Sequence, residues 1–352
     1  MFFPIKRIRK GSPDPKKSIR LNRAEFGHSF KDKKAKYNNL KNFYYPDPNN
    51  LIKKIAALHK LPFTFVNVGL GAESLIKDIY IWHSKKFKQK RVGFGLPNYF
   101  MYTISSKIYG YKIFNFRIDP ARASNLTVDH IKRFVDNKKL SLLVIVNPSH
   151  PFEKNWKPSE LKTIIDLCKR KKTIVLLDEV YQGLGSKSVD YLTKKYSNLI
   201  ILRSFSKAFG LPGLRVGYSL ASDELSKEIE TFRLAIELPQ HSIDEALINL
   251  KKYNKIIKKR CKKIINARKF AHKEFKNIGL KSYNFYGNSI TVDLKNKFNA
   301  YKIGKYLEKN KIYINYKYPD YFGKFINLTT THIANLKIFF QKFNQAVKKI
   351  KI

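Results

Sequence analysis

The stretch Arg203-Ser204-Phe205-Ser206-Lys207-Ala208-Phe209-Gly210-Leu211-Pro212-Gly213-Leu214-Arg215-Val216-Gly217-Tyr218 decides how this chain is read. The apolar run Leu199-Ile200-Ile201-Leu202 precedes it, so Ser204 falls where a strand ends. Lys207 follows two small hydroxyl residues and opens a loop rich in Gly and Pro, and Arg215 lies eight residues further on. The lysine amine can condense with a carbonyl to form an imine. Serine hydroxyls, backbone N–H groups and a guanidinium suit a phosphate. Most lysines of this chain are read as surface residues, and Lys207 is set apart by these neighbours.

On either side, short apolar strands alternate with helical patterns. Asp47-Pro48-Asn49-Asn50 precedes a helix over 51–58, whose apolar stripe recurs at i, i+3 and i+4. Strands are expected at 64–68, 91–95, 111–117, 140–146, 173–177, 199–203 and 214–220, and helices at 72–85, 99–108 and 158–170. This alternation predicts an α/β fold with a mostly parallel sheet. Ligands of such sheets bind at the carboxyl ends of the strands. Asn147, Asp178 and Ser204 each follow directly on an expected strand, so they can meet there from distant places in the chain. After about residue 222 the pattern changes to a long basic helix over 243–275. Strands at 289–294, 311–316 and 325–329 follow, with helices over 300–309 and 333–350, a smaller α+β domain. The domain reading is an N-terminal arm (1–45), a large domain (46–240) and a small C-terminal domain (241–352).

The 352 residues suit one large and one smaller domain, and the 43% apolar content supplies a core. The formal net charge of +45 is the unusual figure. Clustered Lys and Arg would suit nucleic acid. Here lysines are scattered, Lys far exceeds Arg, and Ile, Asn, Tyr and Phe are plentiful, the bias of AT-rich coding sequence. No specific nucleic-acid partner is therefore expected, although the field favours anionic ligands. Cys168 and Cys261 are too few and too isolated for a disulfide framework or a zinc site, so no metal is expected. The first residues carry no long apolar segment, and no apolar run approaches 18 residues. A cytoplasmic protein with no membrane partner is expected.

The motifs around Lys207 resemble those of fold-type I pyridoxal-phosphate enzymes of the class I/II aminotransferase group. In length and motifs the chain is most similar to histidinol-phosphate aminotransferases and their threonine-phosphate decarboxylase relatives. The resemblance covers roughly 18–345 and is strongest over 143–218. It implies a large, mostly parallel-sheet domain with a smaller α+β domain, and pyridoxal 5′-phosphate as cofactor. Lys207 matches the Schiff-base lysine. Asp178, in Leu177-Asp178-Glu179-Val180-Tyr181, matches the aspartate that pairs with the pyridine nitrogen, and Tyr181 and Asn147 match the groups that bond the ring's phenolic oxygen. Ser204, Ser206 and Arg215 match the phosphate contacts, with backbone N–H groups of Gly71, Ala72 and Glu73 at a helix start. Tyr99 resembles the aromatic that stacks on the ring. Tyr45 resembles a tyrosine that reaches the partner subunit's phosphate, which implies a homodimer with a shared site.

The chain departs from the family pattern in two places. Phe152-Glu153 stands where Thr-Gly is usual after Asn147-Pro148-Ser149-His150-Pro151, and His150 is read as a loop residue rather than a catalyst. Near the C-terminus, Phe325 occupies the place of the arginine that grips a substrate carboxylate. Lys324 beside it points to the opposite face of the strand and no Arg follows Arg268, so either the register slips by one residue or the usual carboxylate clamp is missing. The resemblance implies transfer of an amino group between an amino acid or amine, phosphorylated in the histidinol-phosphate-like case, and a 2-oxo acid. Decarboxylation or a lyase step on an amino-acid phosphate is the alternative on the same cofactor, and a basic nucleic-acid-associated protein on an enzyme scaffold is a third reading.

Overall fold

The computed structural model describes residues 19–21, 45–283 and 285–350. The N-terminal arm lies outside the described residues, apart from Ile19, Arg20, Leu21 and Tyr45. In chain order the elements begin with β1 (Ile19–Arg20), α1 (Asn49–His59), β2 (Val66–Leu70), α2 (Gly71–Lys86), β3 (Arg91–Leu96), α3 (Phe100–Ile108) and β4 (Lys112–Arg117). They continue with α4 (Val128–Lys138), β5 (Leu142–Val146), α5 (Pro158–Arg170), β6 (Ile174–Asp178), β7 (Leu199–Ser204), β8 (Val216–Leu220), α6 (Asp223–Glu230) and α7 (Gln240–Lys251). The last are α8 (Tyr253–Asn277), β9 (Ser282–Tyr283), β10 (Ser289–Asp293), α9 (Lys297–Lys309), β11 (Ile312–Tyr313), β12 (Phe325–Thr329) and α10 (Ile333–Ile350).

The described residues divide into two compact units, one within Gly27–Lys262 and one from Met1–Phe26 with Lys263–Ile352. The larger unit is built on a seven-stranded sheet in the order β2-β8-β7-β6-β5-β3-β4. The pairs β3–β4, β3–β5, β5–β6 and β6–β7 are parallel, and β8 runs antiparallel to both of its neighbours. Strands β6, β7 and β8 are buried along their whole length, as apolar runs covered on both faces should be. Helix α5 shows why such segments fold locally. Pro158 occupies its first turn, Glu160 Oε2 accepts from Lys157 N at 2.7 Å, and Leu161, Ile164, Ile165 and Cys168 form its buried stripe. Cys168 and Cys261 both lie on helices, Cys168 buried as a small filler and Cys261 half-buried with its thiol donating to Gly183 O.

The smaller unit carries the antiparallel sheet β12-β10-β9 and the two-residue parallel pair β1–β11. Ile290, Val292, Ile326 and Leu328 pack with an aromatic cluster of Phe275, Phe339, Phe340 and Phe343.

Three local features differ from the sequence reading. The helix expected over 243–275 is two helices with a break at Lys252, whose N–H donates to Asn249 O. Ile243 and Ala246 before the break and Ile256, Ile257 and Arg260 after it keep one helical phase, and no Gly or Pro announces the break. Helices α4 and α6 are additional, the latter capped by Ser222 Oγ accepting from Leu225 N at 3.4 Å. The strand expected over 311–316 shrinks to Ile312–Tyr313. No helix among the described residues is long and apolar enough to cross a membrane.

Candidate active site

Parallel β5, β6 and β7 end side by side, and their ends deliver Asn147, Asp178 and Ser204. Asp178 is buried. Its Oδ2 accepts from Tyr102 Oη at 2.5 Å and its Oδ1 from Val180 N at 3.0 Å. Burial pushes its pKa up to about 6, against the Tyr102 and Val180 hydrogen bonds and the Lys207 charge, which pull it down. Asn147 is also buried and its N–H donates to Asp178 O at 2.8 Å. Its side chain is fixed by the Trp156 backbone: Oδ1 accepts from Trp156 N at 2.8 Å and Nδ2 donates to Trp156 O at 3.3 Å. The loop between them is closed by Ser149 Oγ, which accepts from Lys154 N and donates to Phe152 O, both at 2.6 Å. Phe152 is fully buried, so the apolar residue in place of the usual Thr serves as packing.

Lys207 is half-buried, with Nζ 5.8 Å from the centre of the Tyr181 ring. The His150 ring lies against the same tyrosine, centroids 5.1 Å apart at 33°. Burial and the Lys207 charge hold His150 down to about 3, so it is neutral at pH 7. Ser206 N donates to Ser204 Oγ at 3.0 Å, a tight turn that places both hydroxyls before Lys207.

The anion-suited corner is formed by α2 and the start of β8. Gly217 faces the backbone of Gly71 and Ala72, where a Cβ would come within 2.3 Å of Gly71 C and 2.5 Å of Ala72 N. Gly71 has φ +71°, and a Cβ there would lie 2.7 Å from an Arg215 guanidinium nitrogen. Both glycines are thus required: Gly217 admits the helix end, and Gly71 admits the guanidinium. The N–H groups at the start of this 16-residue helix and Arg215 could hold a phosphate. Arg215 Nη2 is 3.9 Å from Glu73 Oε2, and Tyr99 Oη donates to the same oxygen at 3.3 Å. Tyr99, 39% exposed, presents its ring 6.4 Å from that of Tyr102. Contacts therefore run from Asp178 through Tyr102, Tyr99 and Glu73 to Arg215.

Tyr45 is 86% exposed and, among the described residues, makes no hydrogen bond to this cluster. Phe325 is fully buried, its ring centroid 6.3 Å from that of Tyr283. It shares a strand face with Asn327 and Thr329, opposite Ile326 and Leu328 in the core. Lys324 Nζ is bound to Asp293 Oδ2 at 2.8 Å. Tyr102 and Trp156 were not anticipated. Tyr102 is one of many aromatic residues in the chain, and its place in the sequence does not mark it out. Nothing in the sequence signals Trp156.

A mostly parallel sheet with a strand-end carboxylate, a neighbouring lysine and a helix start suited to an anion has the architecture of a fold-type I pyridoxal-phosphate enzyme. The chain matches the family model "Aminotransferase class I and II" over residues 26–338 and belongs to that family. It is 29% identical over 238 residues to a histidinol-phosphate aminotransferase of Ruminiclostridium cellulolyticum, covering 67% of this chain and 64% of that protein. It is 30% identical over 261 residues to the enzyme of the same name from Caldanaerobacter subterraneus, covering 73% and 72%. The crystal structure of histidinol-phosphate aminotransferase from Sinorhizobium meliloti in complex with pyridoxal-5′-phosphate is similar in fold, with a TM-score of 0.83 and 18% identity over 95% of this chain and 91% of that one.

Proposed function

We propose that the protein is a pyridoxal-phosphate-dependent aminotransferase acting through a covalent link between its cofactor and Lys207. The observation that carries this reading is the convergence, at the ends of the neighbouring strands β6 and β7, of a buried carboxylate, Asp178, and of Lys207, three residues past the end of β7. When bound, the cofactor supplies an electron sink for charge developing at the substrate α-carbon. Asp178 holds a proton on the ring nitrogen, and the incoming positive charge offsets the cost of its burial. Lys207, as the free amine, would accept and return the proton at the substrate α-carbon. Tyr181 and Asn147 donate to the ring oxygen, Asn147 with the amide hydrogen that Trp156 leaves available. Ser204, Ser206, Arg215 and the N–H groups of Gly71, Ala72 and Glu73 hold the phosphate. Glu73 contributes its backbone only, since its carboxylate repels a phosphate. Tyr99 packs on the ring, and Tyr45 reaches the second subunit of a homodimer. The cofactor-binding part is 46–240.

The donor is an amine or amino acid of the histidinol-phosphate type, and the acceptor is a 2-oxo acid. This choice is supported by the names of the two relatives. With Phe325 apolar and Lys324 bound to Asp293, the donor either lacks an α-carboxylate or has it held elsewhere.

Borohydride reduction of the cofactor-loaded protein followed by peptide mass spectrometry tests the site. The adduct is expected on the Lys207 peptide and is lost in Lys207→Ala; an adduct on another lysine refutes the assignment. A screen of amines with and without a 2-oxo acid tests the reaction. Turnover that needs no oxo acid would replace transamination with decarboxylation or a lyase step.

A further inference from the structure

Behind the site, a buried set of charges joins the strand ends that carry it. Asp178 and Glu179 are consecutive, so their side chains leave opposite faces of the sheet. Glu179 N donates to Leu202 O at 2.9 Å, beyond the last paired residues, Asp178 and Leu202, of the β6–β7 ladder. Side chains continue the connection where the ladder stops. Arg203 Nη2 lies 2.6 Å from Glu179 Oε2, with the two side chains 5% and 1% exposed. The same nitrogen donates to Ser188 Oγ at 2.6 Å and is 3.7 Å from Asp190 Oδ2. Asp190 Oδ2 meets His59 Nδ1 at 2.6 Å, and His59 Nε2 is 3.0 Å from Tyr218 Oη. Tyr218 lies directly opposite Arg203 in the β7–β8 ladder. The network therefore ties β6, β7 and β8 together from the face opposite Asp178, and reaches the last turn of α1 through His59.

We propose that Arg203, through its buried pair with Glu179, is a positioning residue: it fixes the spacing between the strand end bearing Asp178 and the strand end leading to Lys207. The inference rests on the reading of those two residues given above. Stability alone is a poor reason for such a pair, because desolvating two charges costs about as much as their attraction returns, and apolar replacements of similar volume are often as stable. What an apolar pair cannot supply is a directional tie. Arg203 immediately precedes Ser204, and Glu179 immediately follows Asp178, so a shift in their separation passes straight into the site. Displacements of about 1 Å at a reacting centre cost roughly 100-fold in rate.

The test uses the full chain loaded with pyridoxal phosphate. The double variant Glu179→Leu/Arg203→Met removes both charges and keeps the volume, which guards against a single variant that fails to fold. It is expected to keep the wild-type urea midpoint and far-ultraviolet circular dichroism. Its affinity for the cofactor and its half-reaction rate should fall roughly 10- to 100-fold, and the visible circular-dichroism band of the bound cofactor should weaken. Arg203→Lys, which keeps the charge opposite Glu179, should recover most of that band. A folded double variant with wild-type affinity, rate and band overturns the inference. A wild-type protein that forms no adduct at Lys207 overturns the site reading first, and this inference with it.

Discussion

The Tyr102 hydroxyl donates to the Asp178 carboxylate at 2.5 Å, with both side chains buried. Tyr102→Phe keeps the ring and its packing but leaves a buried carboxylate oxygen short of a donor. Such a loss costs about 1–3 kcal/mol. Urea unfolding of the apoprotein at pH 7 should show this drop. An unchanged midpoint would mean that the hydroxyl carries no part of the carboxylate's stabilisation.

Asp178 also gives the apoprotein a distinctive dependence on pH. Its folded pKa of about 6 lies above the ordinary value of 3.8, so the folded state holds the proton more tightly than the unfolded chain. The resulting stability is complete below the ordinary value and is lost as pH rises through about 6. That difference corresponds to about 3 kcal/mol. Asp178→Asn should therefore gain on the wild type by up to about 3 kcal/mol between pH 4 and pH 7 in apoprotein unfolding curves. Parallel curves for the two proteins would contradict the burial argument.

Gly217→Ala places a Cβ against the backbone of Gly71 and Ala72, which cannot rotate away as a side chain could. Overpacking of this kind costs about 1–3 kcal/mol. It also moves the N-terminus of α2 from Arg215, so affinity for pyridoxal phosphate should fall by about 10-fold or more. Gly213→Ala is the control, because a Cβ there meets nothing within 4 Å. Fluorescence titration of both variants with the cofactor decides the matter, and equal affinities would remove the cradle from the account.

The net charge of +45 predicts retention on heparin at low salt, with affinity falling steeply as salt rises. Lys207→Ala should behave like the wild type in this assay, since adhesion comes from the whole surface. Affinity that stays nearly constant from about 50 to 300 mM salt would instead indicate specific recognition of a polyanion.

Strands β5, β6 and β7 were legible in the sequence because each is a short, unbroken apolar run ending in a polar residue. The strand ends bearing Asn147, Asp178 and Ser204 followed from those runs. The α7–α8 break was hidden because no residue at Lys252 forbids a helix, and the apolar stripe runs on through it in the same phase. Arg203 and Glu179 were legible as residues but not as a pair, since pairing depends on the register of two strands. Tyr102 was hidden in a different way: fourteen per cent of the chain is aromatic, so one more tyrosine on a helix announces nothing.

The place of β8 in the sheet sets an order of assembly. Strands β7 and β8 adjoin through a short excursion, and Phe205 N already donates to Val216 O across its base. Lys207 and Arg215 thus lie on a local hairpin, whose closure is fast and needs little of the rest of the chain. The other half of the phosphate cradle arrives with β2, whose Leu70 pairs with Val216 from roughly 150 residues away. Contacts of that separation form late. In a refolding experiment, capture of the cofactor should lag behind formation of the hairpin and report the moment at which the most distant strand takes its place.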